Sequence, residues 1–119
     1  MIAATAAFTM WGAPAAQAHE LTYSWSPGCG TLGTQQCGYS KVSSNHRTVT
    51  SCDTYADGVG LWTEYRRSDG KSGYVKDTNG SASGCGSGTA PSGTTVTSFR
   101  PCRNFDTYIV CLEAWKTVT

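Results

Sequence analysis

Two histidines, His19 and His46, are the residues of this sequence best suited to bind a transition metal. His19 directly follows Ala16-Gln17-Ala18, a small-x-small pattern of the kind that leader peptidases cleave. Cleavage there gives His19 a free α-amino nitrogen beside its ring nitrogen, and the imidazole of His46 would complete a set of three nitrogen ligands. Copper(II) favours nitrogen ligands in tetragonal geometry. A copper site formed by these two residues is therefore one hypothesis.

This pair resembles the histidine brace of copper-dependent polysaccharide monooxygenases, which would imply a copper-binding protein or an oxidase. The resemblance is limited to the two histidines, because the chain is much shorter than those enzymes and Glu20-Leu21 replaces their framing residues. The simpler interpretation is that cleavage leaves a histidine first by chance. His46 is then an exposed turn residue in the polar run "SSNHRTVT". The sequence favours this simpler interpretation, and we expect no cofactor.

Carboxylates offer a second kind of chemistry, since glycosidases use a pair of them. The candidates are Asp53, Asp57, Glu64, Asp69 and Asp77. Asp57-Gly58 and Asp69-Gly70 have the composition of turns, which favours structural roles. The chain has no Gly-x-Ser-x-Gly motif, and "DTNG" has its glycine at the fourth position, whereas a calcium loop has it at the sixth. We therefore predict no catalytic residue and no calcium site.

Six cysteines indicate disulfide cross-links: Cys29, Cys37, Cys52, Cys85, Cys102 and Cys111. Their successive spacings of 8, 15, 33, 17 and 9 lack the close pairs of a zinc site. Six cysteines allow fifteen pairings, among which the sequence does not choose. Our working hypothesis is the sequential set, Cys29 with Cys37, Cys52 with Cys85, and Cys102 with Cys111.

The first eighteen residues have the character of a secretory signal peptide, being uncharged, small and apolar. They lack the basic start of such leaders, and Gly12 and Pro14 interrupt the apolar run, which is also too short to span a bilayer. The prediction is a signal peptide over residues 1–18 and a single secreted, extracellular domain over residues 19–119.

Short alternating runs separated by turn residues predict the elements that position these groups. "GVGLWTEYRR" has Val59, Leu61 and Tyr65 on one face, with Trp62 on the other. Asp69-Gly70 and Asn79-Gly80 follow as hairpin turns, which we expect to be type I′ with positive φ at both central residues. "TTVTSFR" and "TYIVCLEAW" predict the last two strands, and "SASGCGSGTAPSG" a surface loop. The expected fold is all-β, a small antiparallel β-sandwich or barrel of six to seven strands.

The charge pattern bears on partners. The net charge is +1, and the nine Lys and Arg residues are scattered along the chain without forming a basic stripe. Nucleic acid and anionic membranes are therefore disfavoured as principal partners, because both require clustered cations. We expect a monomer with an extracellular glycan or protein ligand.

A recurring order of residues runs from Cys52 to Trp115: Cys-Asp-Thr, Asp-Gly, Tyr-Arg, Asn-Gly, Gly-Cys-Gly, and a closing Cys and Trp. It resembles a group of small exported actinobacterial proteins of uncharacterised function. The resemblance implies an exported location and this fold class, and it implies no catalytic residue. Cys29 and Cys37 fall outside the pattern.

Aromatic side chains are numerous for a domain of this size, and a two-layer core does not enclose all of them. Trp62 is expected to point away from the core, and we take Trp62 and Tyr74 as candidate ligand-stacking residues. The alternative is that both faces of this strand are covered. The sequence favours a non-catalytic exported binding protein, with the copper protein and a structural surface component as alternatives.

Overall fold

The alternating segments form short strands, as expected from their β-branched and aromatic residues. The computed structural model describes residues 19–78, 82 and 84–119. The predicted signal peptide and the predicted Asn79-Gly80 turn lie outside the described residues. The strands are β1 Leu21–Ser24, β2 Gly38–Val42, β3 Thr48–Asp53, β4 Gly60–Arg67, β5 Ser72–Lys76, β6 Gly86–Thr89, β7 Val96–Asn104, β8 Ile109–Cys111 and β9 Lys116–Thr117.

Two antiparallel sheets contain these strands, and the described part of the chain has no helix, which confirms the predicted all-β class. One sheet has the order β1-β2-β3-β6. The other has the order β5-β4-β7-β8, with β9 pairing to β7 beyond the end of β8. Among the described residues, no helix is long and apolar enough to cross a membrane.

Three local expectations differ from the structure. Only Gly70 has positive φ in the β4–β5 turn, so this turn is not type I′. Its geometry suits a three-residue loop, because Arg67 N donates to Lys71 O and Gly70 N donates to Arg67 O. The predicted strand "TYIVCLEAW" is divided between β8 and an irregular segment. Leu112 N donates a hydrogen bond to Pro101 O, and the β7–β8 ladder does not continue beyond Cys111.

The third difference is β6, which forms inside the segment predicted to be a surface loop. Strand β6 requires a glycine at position 86, because a Cβ atom there would lie 1.8 Å from the carbonyl oxygen of Lys76. No side chain fits at this position, so the two sheets approach each other there through bare backbone. With this strand, the described residues form nine strands, more than the six to seven that the sequence indicated.

A small apolar core lies between the sheets. Its buried cluster comprises Val42, Val49, Val75, Val96 and Phe99. Polar bonds also join the sheets within this layer, since the Ser40 and Thr63 hydroxyls lie 2.5 Å apart and both residues are fully buried.

Disulfides add covalent links, joining Cys29 to Cys37, Cys52 to Cys85, and Cys102 to Cys111. This is the sequential pairing, and every cysteine takes part in it. Cross-linking of this density is typical of proteins in an oxidising, extracellular-type environment.

Candidate ligand-binding surface

The outer face of the five-stranded sheet is the surface that points away from the four-stranded sheet. Leu61 and Thr63 of β4 are buried while Trp62 between them is half-buried, which is the predicted alternation. Strand register and ring contacts place the following residues on this outer face: Trp62, Glu64, Arg66, Tyr74, Lys76, Arg100 and Trp115. It holds both residues that the sequence proposed for ligand stacking.

Trp62 and Tyr74 form an aromatic pair on the outer face. Their ring centroids are 5.6 Å apart and the rings meet edge to face. The Trp62 Nε1 atom lies 4.0 Å from the position that a Cβ would occupy at Gly60, which is an ordinary van der Waals distance. Tyr74 is 46% exposed. The pair therefore presents a partly apolar, rigid surface to solvent.

Trp115 closes the other end of the outer face and is covered by cations. The Arg66 guanidinium lies 3.7 Å from its ring centroid and that of Arg100 lies 4.3 Å away. Arg100 is held in place because its Nε donates to Glu64 Oε1 at 2.9 Å and its Nη1 donates to Leu112 O at 3.0 Å. The C-terminal segment is thereby fixed against the sheet.

The Tyr74 hydroxyl remains a proton donor at neutral pH. Burial raises its pKa above the ordinary value, and the nearby Glu64 carboxylate raises it further. The hydrogen bond between the phenol and Glu64 contributes to the same shift, so the hydroxyl proton is directed towards that carboxylate. This adds a polar group beside the aromatic surface.

A second exposed apolar surface lies at the β7–β8 hairpin, where Phe105 and Tyr108 stack with centroids 5.2 Å apart. Tyr108, Ile109 and Val110 are 58%, 38% and 40% exposed. We call these four residues the hairpin tip. Asp106 has a φ of 72°, and its backbone N–H donates to the Asn104 side chain, which fixes the turn. The sequence alone did not single out this surface.

Three of the candidate carboxylates lie near a pocket of about 450 Å³ at the β3–β4 loop. Asp53 and Asp77 line it and are buried, while Asp57 is paired with Arg103. Burial raises the Asp53 pKa, and the charges of Asp57 and Asp77 add to this effect. Asp77 Oδ2 accepts from Asp53 N at 2.7 Å, and Asp53 Oδ1 accepts from the next loop. These carboxylates therefore hold backbone in place.

The other two carboxylates lie elsewhere. Glu64 is on the outer face, paired with Arg100. Asp69 lies in the β4–β5 turn, where Arg67 lowers its pKa to about 2. The structure therefore does not gather the five candidates into one acid–base site.

The two histidines lie at the same end of the four-stranded sheet. His19 is exposed two residues before β1, whose first residue pairs with Val42, and His46 follows in the β2–β3 turn. His46 has a φ of 62°, and its carbonyl accepts from Val96 N. It is half-buried, unlike the exposed residue that the sequence indicated, and its Nε2 is shielded from solvent. In this conformation, Nε2 of His46 is not accessible to a metal ion from solvent.

Within the described ranges, one group of three potential metal ligands comes together: Glu64, Cys102 and Cys111. Both sulfurs are consumed in the Cys102–Cys111 disulfide. A thiolate is the form that binds metal, so this group is not suited to a metal ion. It places the Glu64 carboxylate beside the disulfide.

The residues that sequence reasoning missed are Trp115 and the arginines over it. Composition was the only sign of these residues in the sequence, because they are brought together by strand register.

Comparison of the chain with protein-family models, with curated proteins and with solved structures finds no match.

Proposed function

We propose that this protein is an exported, non-catalytic binding protein and that it binds a glycan on the outer face. The leader-like residues 1–18 and the resemblance to small exported actinobacterial proteins support export. The three disulfides are compatible with an extracellular location.

One observation carries the proposal, the aromatic pair formed by the exposed Tyr74 and the half-buried Trp62. Both rings project from neighbouring strands of a hydrogen-bonded sheet, so they lose little conformational freedom when a ligand binds. Aromatic rings with one polar atom suit ligands that present both C–H and hydroxyl groups. A sugar ring has this composition.

The test is retention on insoluble polysaccharides, with chitin and cellulose as the first probes. Trp62→Ala and Tyr74→Ala should each reduce affinity, by about tenfold or more if the pair is the centre of the contact. Tyr108→Ala is a matched control, because it removes a tyrosine that is 58% exposed, against 46% for Tyr74, from the hairpin tip. Retention that is unchanged in both outer-face variants would refute the site.

A protein ligand is the second candidate, favoured by the hairpin tip. Its apolar residues are exposed at a sheet edge where β8 has a partner on one side only. Such edges can accept another strand. In this case Tyr108→Ala would abolish co-purification of a secreted partner, and the outer-face variants would not.

A further inference from the structure

The outer face carries more positive than negative charge. Three cations, Arg66, Lys76 and Arg100, share it with one carboxylate, Glu64. Glu64 pairs with Arg100. The salt bridges of the described residues join Lys41 to Glu20, Arg67 to Asp69, Arg100 to Glu64 and Arg103 to Asp57. The contacts that Arg66 and Lys76 make on the outer face are to aromatic rings.

These two cations lie over the aromatic rings. Lys76 Nζ is 4.3 Å from the centroid of Trp62, and the Arg66 guanidinium is 3.7 Å from that of Trp115. A neutral sugar that stacks on the ring face covered by the cation would have to displace a cation–π contact. An anionic group can instead approach the cation directly while the sugar packs on Tyr74 and the edge of Trp62.

The cations are also separated along the sheet. Lys76 lies opposite Trp62, and Arg66 is four residues further along β4. At about 3.4 Å per residue, the two positions are about 14 Å apart along the strand direction. This separation suits an extended polymer that repeats its negative charges, since a single small anion reaches one cation only.

We propose that the outer face binds an acidic polysaccharide whose carboxylate or phosphate groups contact Lys76 and Arg66. This rests on the proposed function and names the class of glycan. Arg100 neutralises Glu64, so the centre of the outer face does not repel the ligand.

The experiment compares polygalacturonate with its fully methyl-esterified form, which has the same backbone without the charge. Poly(glycerol phosphate) distinguishes phosphate from carboxylate, and inorganic polyphosphate, which has neither a sugar nor a base that could stack on the aromatic rings, reports charge alone. We expect the acidic polymer to bind more tightly, and its affinity to fall as salt is raised, because exposed charges are screened over about 10 Å at 0.1 M ionic strength.

Lys76→Gln should weaken binding of the acidic polymer about three- to five-fold, the scale of one exposed ion pair, and Lys76→Arg should restore it. Lys41→Gln is the matched control, because Lys41 lies on the other sheet beside Glu20. Thermal unfolding of each variant checks that the fold is retained.

The outcomes separate the two proposals. Equal binding of the charged and esterified polymers overturns the acidic preference and leaves glycan binding intact. Absence of binding to every polysaccharide refutes both. Inorganic polyphosphate that binds as tightly as polygalacturonate overturns recognition of a glycan, and an equal loss in Lys41→Gln overturns the assignment to the outer face.

Discussion

The hydroxyl pair Ser40–Thr63 joins the two sheets inside the core, and its energy can be measured by a double-mutant cycle. The oxygens are 2.5 Å apart and both residues are 0% exposed. Thr63→Val keeps the side-chain shape but leaves the Ser40 hydroxyl buried without its partner. A buried unsatisfied group costs about 1–3 kcal/mol, so we expect the free energy of unfolding to fall by that amount.

Ser40→Ala should cost a similar amount because it leaves the Thr63 hydroxyl unpaired. The double variant removes both hydroxyls and should be much less destabilised than the sum, with a coupling energy of about 1–3 kcal/mol. Urea denaturation followed by tryptophan fluorescence, with the disulfides intact, measures all four states. The exposed pair Thr48–Thr89, with hydroxyls 3.5 Å apart, is the control and should show little coupling. Additive losses at Ser40 and Thr63 would refute the reasoning.

Three further predictions concern stability. Replacing Cys52 and Cys85 by Ser should lower the free energy of unfolding by about 3.7 kcal/mol, from the closure entropy of a loop with a sequence separation of 33. Gly86→Ala should destabilise severely, as measured by urea denaturation, because a Cβ there would lie 1.8 Å from Lys76 O. Asp53 has a raised pKa in the folded protein, so the free energy of unfolding should decrease as pH rises from the pKa of the unfolded chain, near 4, through the pKa of the folded state. Urea denaturation at a series of pH values measures this decrease. The Asp53→Asn variant should lack the part of the decrease that comes from Asp53.

Each of these has an internal control. Removing the Cys29–Cys37 disulfide, with a sequence separation of 8, should cost about 2.5 kcal/mol, and an equal or larger loss than for Cys52–Cys85 contradicts the loop argument. Gly60→Ala should be tolerated, since its Cβ would make only 4.0 Å contacts. For Asp53, a pH profile that is identical in wild type and variant means that the pKa of this carboxyl is the same in the folded and unfolded states.

The alternation of apolar and polar residues predicted those strands whose position depends on the sequence nearby. The alternation around Trp62 placed β4 correctly because a half-buried strand has a period of two. The same reasoning missed β6, whose glycines have little intrinsic strand preference. That strand forms because β3 pairs with it and Cys85 is tied to Cys52, and both contacts are distant in sequence.

The outer face depends even more on distant contacts. Arg66, Lys76 and Arg100 are scattered in the sequence, and a net charge of +1 gives no sign of a local excess. Register places them on three adjacent strands with one carboxylate between them. A chain with scattered cations can therefore present a short cationic surface after folding. The absence of a basic stripe argues against partners that require many aligned cations, as nucleic acid does. It does not argue against an acidic glycan that needs two cations and an aromatic surface between them.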